Sequence, residues 1–339
     1  MSTPSELREA WALLALTGSP IGELRARELE GFDTRWGPSM VAIDAEGNRH
    51  LLFPAEPGSH ITADQRSSGI HILPHPLIDR QSDRLFVDVV CLKPHLHELF
   101  SIVAGEMFDG FKEDPTHPDL SCSSVLDRWR ELLEREFGQH PGMETIVGLF
   151  GELWQLREIV RENPAALSCW TGPSGARHDI AAGSIALEVK TTRARGARIF
   201  EIHGHDQLEP PLGGRLYLAG MQIEQTTVAA GQSIPDLADS IIALGANRHD
   251  LLTSISQAGV GPGDINYLSA FRFTVREVRI YSVEGDFPRI TLDSFVGRSL
   301  PPAVVRLSYQ LDLSGEPPHP IGDLETRQLY TTIAGATAL

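Results

Sequence analysis

From Ile185 to Lys190 the side chains alternate, with Ile185, Leu187 and Val189 in one set and Ala186, Glu188 and Lys190 in the other. A period of two sends the sets to opposite faces of a strand. No helix sorts them that way. Just upstream, Asp179-Ile180-Ala181-Ala182-Gly183-Ser184 offers a returning strand, with Ala182-Gly183 expected as a two-residue turn. In that register Ala181 pairs with Ser184 and Asp179 lies opposite Ala186, which places Glu188 on the diagonal, roughly 7–8 Å away between backbones. Asp179, Glu188 and Lys190 then share one face. A turn one residue longer would put Asp179 on the other face.

Two carboxylates converging on one point, with an ammonium beside them, suit phosphodiester hydrolysis. Carboxylate oxygens hold Mg²⁺, which lowers the pKa of water and draws charge from a phosphate oxygen. A lysine orients the water and offsets negative charge. Lys190 stands out in composition, because the chain has only three lysines (Lys93, Lys112 and Lys190) and its other strong bases are arginines. A compact ammonium beside a metal is a role arginine does not fill.

A third carboxylate comes from upstream. Between Met143 and Glu162 apolar residues recur at Ile146, Leu149, Phe150, Leu153, Leu156 and Val160, the pattern of an amphipathic helix. Glu152 falls at the edge of that stripe, while Glu144, Glu158 and Glu162 fall on the far side. Gly148 and Gly151 each cost a helix about 1 kcal/mol, so something is expected to approach closely there. Arg157 lies within the stripe, either reaching phosphate or snorkelling.

The rest of the chain reads as β-rich at first, then mixed. A helix is expected over Ser5–Leu16, a hairpin from Ser39–Asp44 and Arg49–Phe53, strands at 69–73 and 84–90, and a helix from Pro94 towards Phe108. The polar, proline-bearing stretch Lys112–Asp119 is the linker candidate. Helices follow at Ser123–Phe137 and Met143–Glu162, strand-rich sequence at 166–224, a helical pair at 234–258, and strands near 271–280 and 304–313. The expected domains are a β-rich 1–115, a core at 116–230 and an α/β extension at 231–339.

The chain of 339 residues carries a formal net charge of −16, so a nonspecific nucleic-acid coat is a poor reading. An acidic enzyme can still act on a polyanion where positive charge is local and a metal is bound. No secretory signal or bilayer-length apolar run is read. Cys91, Cys122 and Cys169 lack metal-ligand spacing and read as reduced thiols in a cytoplasmic protein. No Walker loop, nucleophile elbow or Rossmann glycine pattern is found.

The run Gly148-Leu149-Phe150-Gly151-Glu152-Leu153, then Trp170-Thr171-Gly172-Pro173, His178-Asp179-Ile180, Glu188-Val189-Lys190-Thr191-Thr192 and Asp206-Gln207-Leu208 resembles the PD-(D/E)XK family known as DUF4420. His178 stands where the motif's name has proline, a frequent departure in that superfamily. The resemblance implies an α/β, restriction-endonuclease-like core, with a mixed sheet flanked by helices. It also implies a Mg²⁺-dependent DNA endonuclease of a bacterial restriction or phage-defence set, Mn²⁺ serving as a substitute. Its metal site carries over to Glu152, Asp179, Glu188 and Lys190; the mechanism expected for them has the three carboxylates as ligands, the Val189 carbonyl as an extra ligand and Lys190 positioning the attacking water. DNA, a second copy of the chain and partner subunits of a defence system are the expected partners, and no membrane is.

Arg193, Arg195, Arg198 and Arg215 follow the site and suit a phosphate-gripping ridge, or merely a solvated loop. Gln207 either orients substrate or opens a helix. His203 and His205 line one face of a strand, with no further ligands identified; His95, His97 and Glu98 lack the zinc-protease arrangement, and His71 and His75 read as strand ends. The rival to an enzyme is a silent scaffold that keeps the core and binds DNA or a defence partner. An RNA or nucleotide phosphodiesterase with the same chemistry is a third option.

Overall fold

The computed structural model describes residues 4–336 apart from 18, 22–23, 68, 80–81, 135–139, 229 and 262–263. Its packing divides the chain into two units, Met1–Gly138 with Gly261–Gly263, and Gln139–Val260 with Asp264–Leu339.

In the first unit α1 (Pro4–Thr17) precedes β1 (Ser19–Ile21), β2 (Leu24–Thr34), β3 (Gly37–Ile43), β4 (Arg49–Pro54), β5 (Ile70–Asp79) and β6 (Ser82–Cys91). These strands form one antiparallel sheet in the order β1-β2-β3-β4-β6-β5. The expected hairpin pairs Met40 with Leu52 and Ile43 with Arg49. Two further helices, α2 (His97–Glu113) and α3 (Pro118–Glu134), complete the unit. The break expected near residue 115 is only a short loop. Pro118 opens α3, as proline suits the first turn of a helix, and α3 packs back on α2, Trp129 Nε1 donating to Glu106 Oε2 at 2.9 Å.

One buried charge network ties this sheet together. Asp88 on β6 is 2% exposed and accepts from His50 Nδ1 at 3.0 Å, with His75 Nδ1 at 3.2 Å and Asp44 3.4 Å from His50 Nε2. Burial alone would discharge both partners. The hydrogen bonds win: His50 is held above its ordinary 6.5 by Asp88 and Asp44, and Asp88 below its ordinary 3.8 by His50 and His75. The raised His50 pKa means its share of stability is full below pH 6.5 and is lost as pH rises through the folded value. Asp88 acts in the opposite sense, its share present above pH 3.8.

The second unit holds α4 (Met143–Val160), β7 (Ile180–Ala182), β8 (Ile185–Thr192), β9 (Ile199–His203), β10 (Arg215–Thr226), α5 (Ile234–Ala243), α6 (Arg248–Gln257), α7 (Ile265–Ser269), β11 (Arg272–Ser282), β12 (Ser308–Asp312) and α8 (Asp323–Gly335). Its main sheet is mixed, in the order β11-β10-β8-β7, with β8 and β10 parallel and the outer pairs antiparallel. One face of that sheet (Ile185, Leu187, Val189, Ala219, Met221, Ile223) packs under α4, α5 and α8. The other face (Ala186, Leu216, Leu218, Tyr281) is covered by the two-stranded β9–β12 ribbon through Phe200, Ile202 and Leu311. Helices thus flank one face, and a ribbon takes the place of helices on the other. Residues after 230 share the core of α4 and β8, because α5 and α8 bury Leu237, Ile241 and Ile333 against it.

The turn between β7 and β8 is Gly183-Ser184, one residue later than expected. Ala182 pairs with Ile185, Ala181 with Ala186 and Ile180 with Leu187. Gly183 has φ +59°, which suits the first central position of a type II′ turn, where only glycine is comfortable. The partner of each residue moves by two, so parity survives and Asp179 keeps its face.

Of the two helix glycines, one is a contact and one is open. A Cβ on Gly151 would stand 1.9 Å from Thr191 Oγ1 and 3.4 Å from Val189 Cγ1, whereas nothing lies within 4 Å of one on Gly148. Gly151 therefore lets α4 sit directly on β8.

Two outcomes follow from this packing. Gly151→Ala should cost about 1–3 kcal/mol of stability and Gly148→Ala should gain up to about 1 kcal/mol, a contrast read in thermal unfolding of the two variants. Asp88→Asn should cost the first unit about 3 kcal/mol at pH 6 and less at pH 8.5, since the ionic share of the contact declines as pH rises through the raised His50 value. Amide exchange of β4 and β6 at the two pH values checks it; an equal loss at both would remove the ionic explanation.

Candidate active site

Four elements bring the expected residues to one edge of the mixed sheet. Glu188 and Lys190 leave β8 on the same face, as the alternation requires, and Lys190 Nζ lies 2.8 Å from Glu188 Oε1. Glu188 is buried, its side chain 1% exposed, while the lysine side chain keeps 14%. Apart from that ion pair neither Glu188 oxygen has a hydrogen-bond partner. A buried carboxylate left in this way is costly.

Asp179 sits one residue before β7, and its Oδ2 accepts from the Val189 N–H at 2.7 Å. Its own carbonyl is held by the N–H groups of Thr171 and Gly172, both at 2.9 Å. Glu152 arrives from α4 and its Oε2 accepts from Trp170 Nε1 at 2.8 Å. A Cβ on Gly172 would lie 3.2 Å from Asp179 Oδ1 and 3.3 Å from Glu152 Oε2, so both acidic side chains press against the same glycine. Trp170-Thr171-Gly172 is therefore part of the site's construction. Reading the helix and hairpin alone missed that role; the signal was a tryptophan beside a glycine in the connection, where no periodicity explains either.

Electrostatics record the crowding. Burial, then the charge of Asp179, push both Glu152 and Glu188 up to about 8, against the pull of Lys190 on each. Asp179 is also raised by burial, against Lys190 and the Val189 N–H. Three carboxyl groups face one ammonium, and protons hold part of the charge that a further cation would neutralise.

The residues fit a divalent ion in donor type and in charge: hard oxygens, in excess over the local positive charge, with the buried Glu188 carboxylate short of partners. They do not form a finished cage. Among the described residues no group of three or more His, Cys, Asp or Glu side chains is arranged to hold a metal. Asp179 Oδ2 and Glu152 Oε2 are already taken by protein donors, and Val189 enters the site through its N–H, its carbonyl remaining a proposed ligand.

The expected substrate contacts are more dispersed. Gln207 lies in a turn rather than at a helix start, and its Oε1 accepts from the His203 N–H at 2.8 Å, which fastens the end of β9. Arg193 is exposed, and Arg195 pairs with Glu224. Arg157 turns inward, bonded to Glu158 and to Gln232 Oε1 at 3.0 Å and stacked over Trp154, which removes it as a phosphate contact.

A sequence model of the DUF4420 family, described as "Putative PD-(D/E)XK family member", matches residues 7–314. The chain belongs to that family. No curated protein and no solved structure matches it.

Trp170 gives the site a direct test. Trp170→Phe keeps an aromatic ring, though a smaller one, and removes the N–H donor to Glu152, so Mn²⁺ affinity measured by calorimetry should fall by about tenfold, the usual cost of losing a partner behind a ligand. Unchanged affinity would mean that Glu152 is not held for a metal.

Proposed function

With family membership as the premise, we propose that this chain is a Mg²⁺-dependent DNA endonuclease whose centre is Glu152, Asp179, Glu188 and Lys190. The observation that carries the reading is Glu188: a buried carboxylate beside Asp179 and Glu152, balanced only by Lys190 at 2.8 Å. Such an arrangement is unstable as a mere structural element and useful as a cation site. PD-(D/E)XK nucleases generally use Mg²⁺.

In this reading Glu152, Asp179 and Glu188 hold the ion, with the Val189 carbonyl as an extra ligand and Mn²⁺ as a substitute. When bound, the ion supplies Lewis-acid charge and eases deprotonation of water. Lys190 hydrogen-bonds the attacking water and offsets charge on the phosphate. The Val189 N–H fixes Asp179, and Trp170 fixes Glu152, so that neither carboxylate must reorganise. Arg193 and Arg195 approach the phosphate backbone from the loop after β8, and Gln207 keeps β9 in place beside them. Cutting both strands requires two such centres, which favours a homodimer. A bacterial restriction or phage-defence role, partner subunits and a cytoplasmic location belong to the same proposal. Among the described residues no helix is long and apolar enough to cross a membrane.

A silent scaffold is the second reading, and the unfinished metal arrangement speaks for it. Supercoiled plasmid, methylated or not, separates the two when incubated with Mg²⁺, Mn²⁺ or EDTA. Metal-dependent nicking or linearisation is expected, with Lys190→Ala and Glu188→Ala each losing about 10²-fold or more in rate. Cleavage by both variants at the wild-type rate would sink the mechanism, and no cleavage together with no Mn²⁺ binding would leave the scaffold.

A further inference from the structure

Beyond Lys190 the same face of the sheet carries a second constellation. The register pairs Lys190 with Gly220 and Thr192 with Gln222, and Glu224 follows two residues on. Gln222 Nε2 donates to the carbonyls of Ala194 at 3.0 Å and Ala197 at 3.2 Å, pinning the loop after β8 down onto this face. Glu224 then receives two guanidinium groups, Arg195 from that loop and Arg276 from β11, the latter through Nε at 2.6 Å. Around them lies a cavity of about 370 Å³ lined by Ala194, Arg195, Gln222, Ile223, Glu224 and Arg276.

We propose that Arg195 and Arg276 form a clip for the phosphate backbone of a nucleic-acid strand, with Glu224 as the internal stand-in for the phosphate. This rests on the nuclease reading and adds Gln222, Glu224 and Arg276 to it. Stability does not explain the trio: the arginines are 81% and 63% exposed, and ion pairs so open to water contribute little. Two guanidinium forks on one carboxylate match what two forks would do on a backbone phosphate, an anion that likewise carries one negative charge on two unesterified oxygens. The trio keeps one positive charge in excess, in a chain whose formal net charge is −16, and exposed Arg193 adds another. Gln222 fixes the loop and so removes the ordering cost that a mobile arginine would meet on binding. The distance also suits. Four residues of strand separate Gly220, level with Lys190, from Glu224, about 13 Å. A duplex strand covers that in about four nucleotide steps of 3.4 Å.

The carboxylate gives the proposal a test of opposite signs. Full-length protein is titrated into labelled duplex DNA in EDTA, between 50 and 200 mM KCl, and binding is read by anisotropy. Arg195→Ala with Arg276→Ala should weaken binding about tenfold or more and flatten the slope of log affinity against log salt by about 0.9, one phosphate's worth. Glu224→Gln, which frees both guanidiniums, should tighten binding several-fold. A misfolded variant cannot tighten. An unchanged salt slope in the double variant, or weaker binding in Glu224→Gln, while Lys190-dependent cleavage persists, overturns the clip alone. Wild-type protein that neither binds nor cleaves DNA overturns the nuclease reading and the clip together.

Discussion

Taking a carboxylate out of water costs several kcal/mol unless opposite charge and hydrogen bonds replace what water gave it. Glu188 is out of water on β8, with a lysine as its replacement and two more carboxyl groups for neighbours. Everything else about this edge of the sheet answers to that condition. The pair cannot separate, because alternation along β8 fixes Glu188 and Lys190 on one face and the parallel pairing with β10 fixes the strand. Nor can the neighbours withdraw: the Val189 N–H holds Asp179, and the Trp170 indole holds Glu152. The fold therefore keeps three acidic groups crowded about one ammonium, and protons take up part of the charge.

Maintaining it requires close approach, and glycine supplies that at two points. Gly151 lets α4 rest on β8 where any side chain would strike Thr191, which is what brings Glu152 within range of the hairpin. Gly172 leaves room for Asp179 and Glu152 to lie against one backbone segment. The two faces of the sheet divide the labour. Beneath α4, α5 and α8 an apolar layer sets the positions. On the other face the β9–β12 ribbon covers Ala186 and Leu218, while the Lys190 side chain keeps a partial exposure.

Much of this was legible in the residues because the governing patterns are local. Period two along β8 gave the shared face of Glu188 and Lys190, and the apolar stripe of α4 put Glu152 at its edge. The hairpin turn was misplaced by one residue, yet the partner of Asp179 moved by two, so its face survived the error. What the sequence hid was tertiary. Nothing local says that a ribbon, not helices, covers the second face, or that residues after 230 complete the core under the sheet. The inward turn of Arg157 depends on Gln232, 75 positions away, and was equally invisible. Trp170 and Gly172 were noticed only through family likeness, since their roles rest on contacts with Glu152 and Asp179 from other elements.

Charge distribution reconciles an acidic chain with the proposed polyanionic substrate. Long-range attraction from a molecule of formal net charge −16 is absent, and salt screens whatever remains beyond about 10 Å. In the proposed reading contact then depends on groups within bonding distance of the phosphate, the paired arginine forks and the one lysine of the site. On the active face each exposed arginine with a described partner is matched by a glutamate: Arg195 and Arg276 by Glu224. Such pairing keeps the surface from attracting nucleic acid indiscriminately. In the proposed clip it yields only to an anion that can replace the carboxylate at close range, which would place discrimination in local geometry rather than in the protein's overall field.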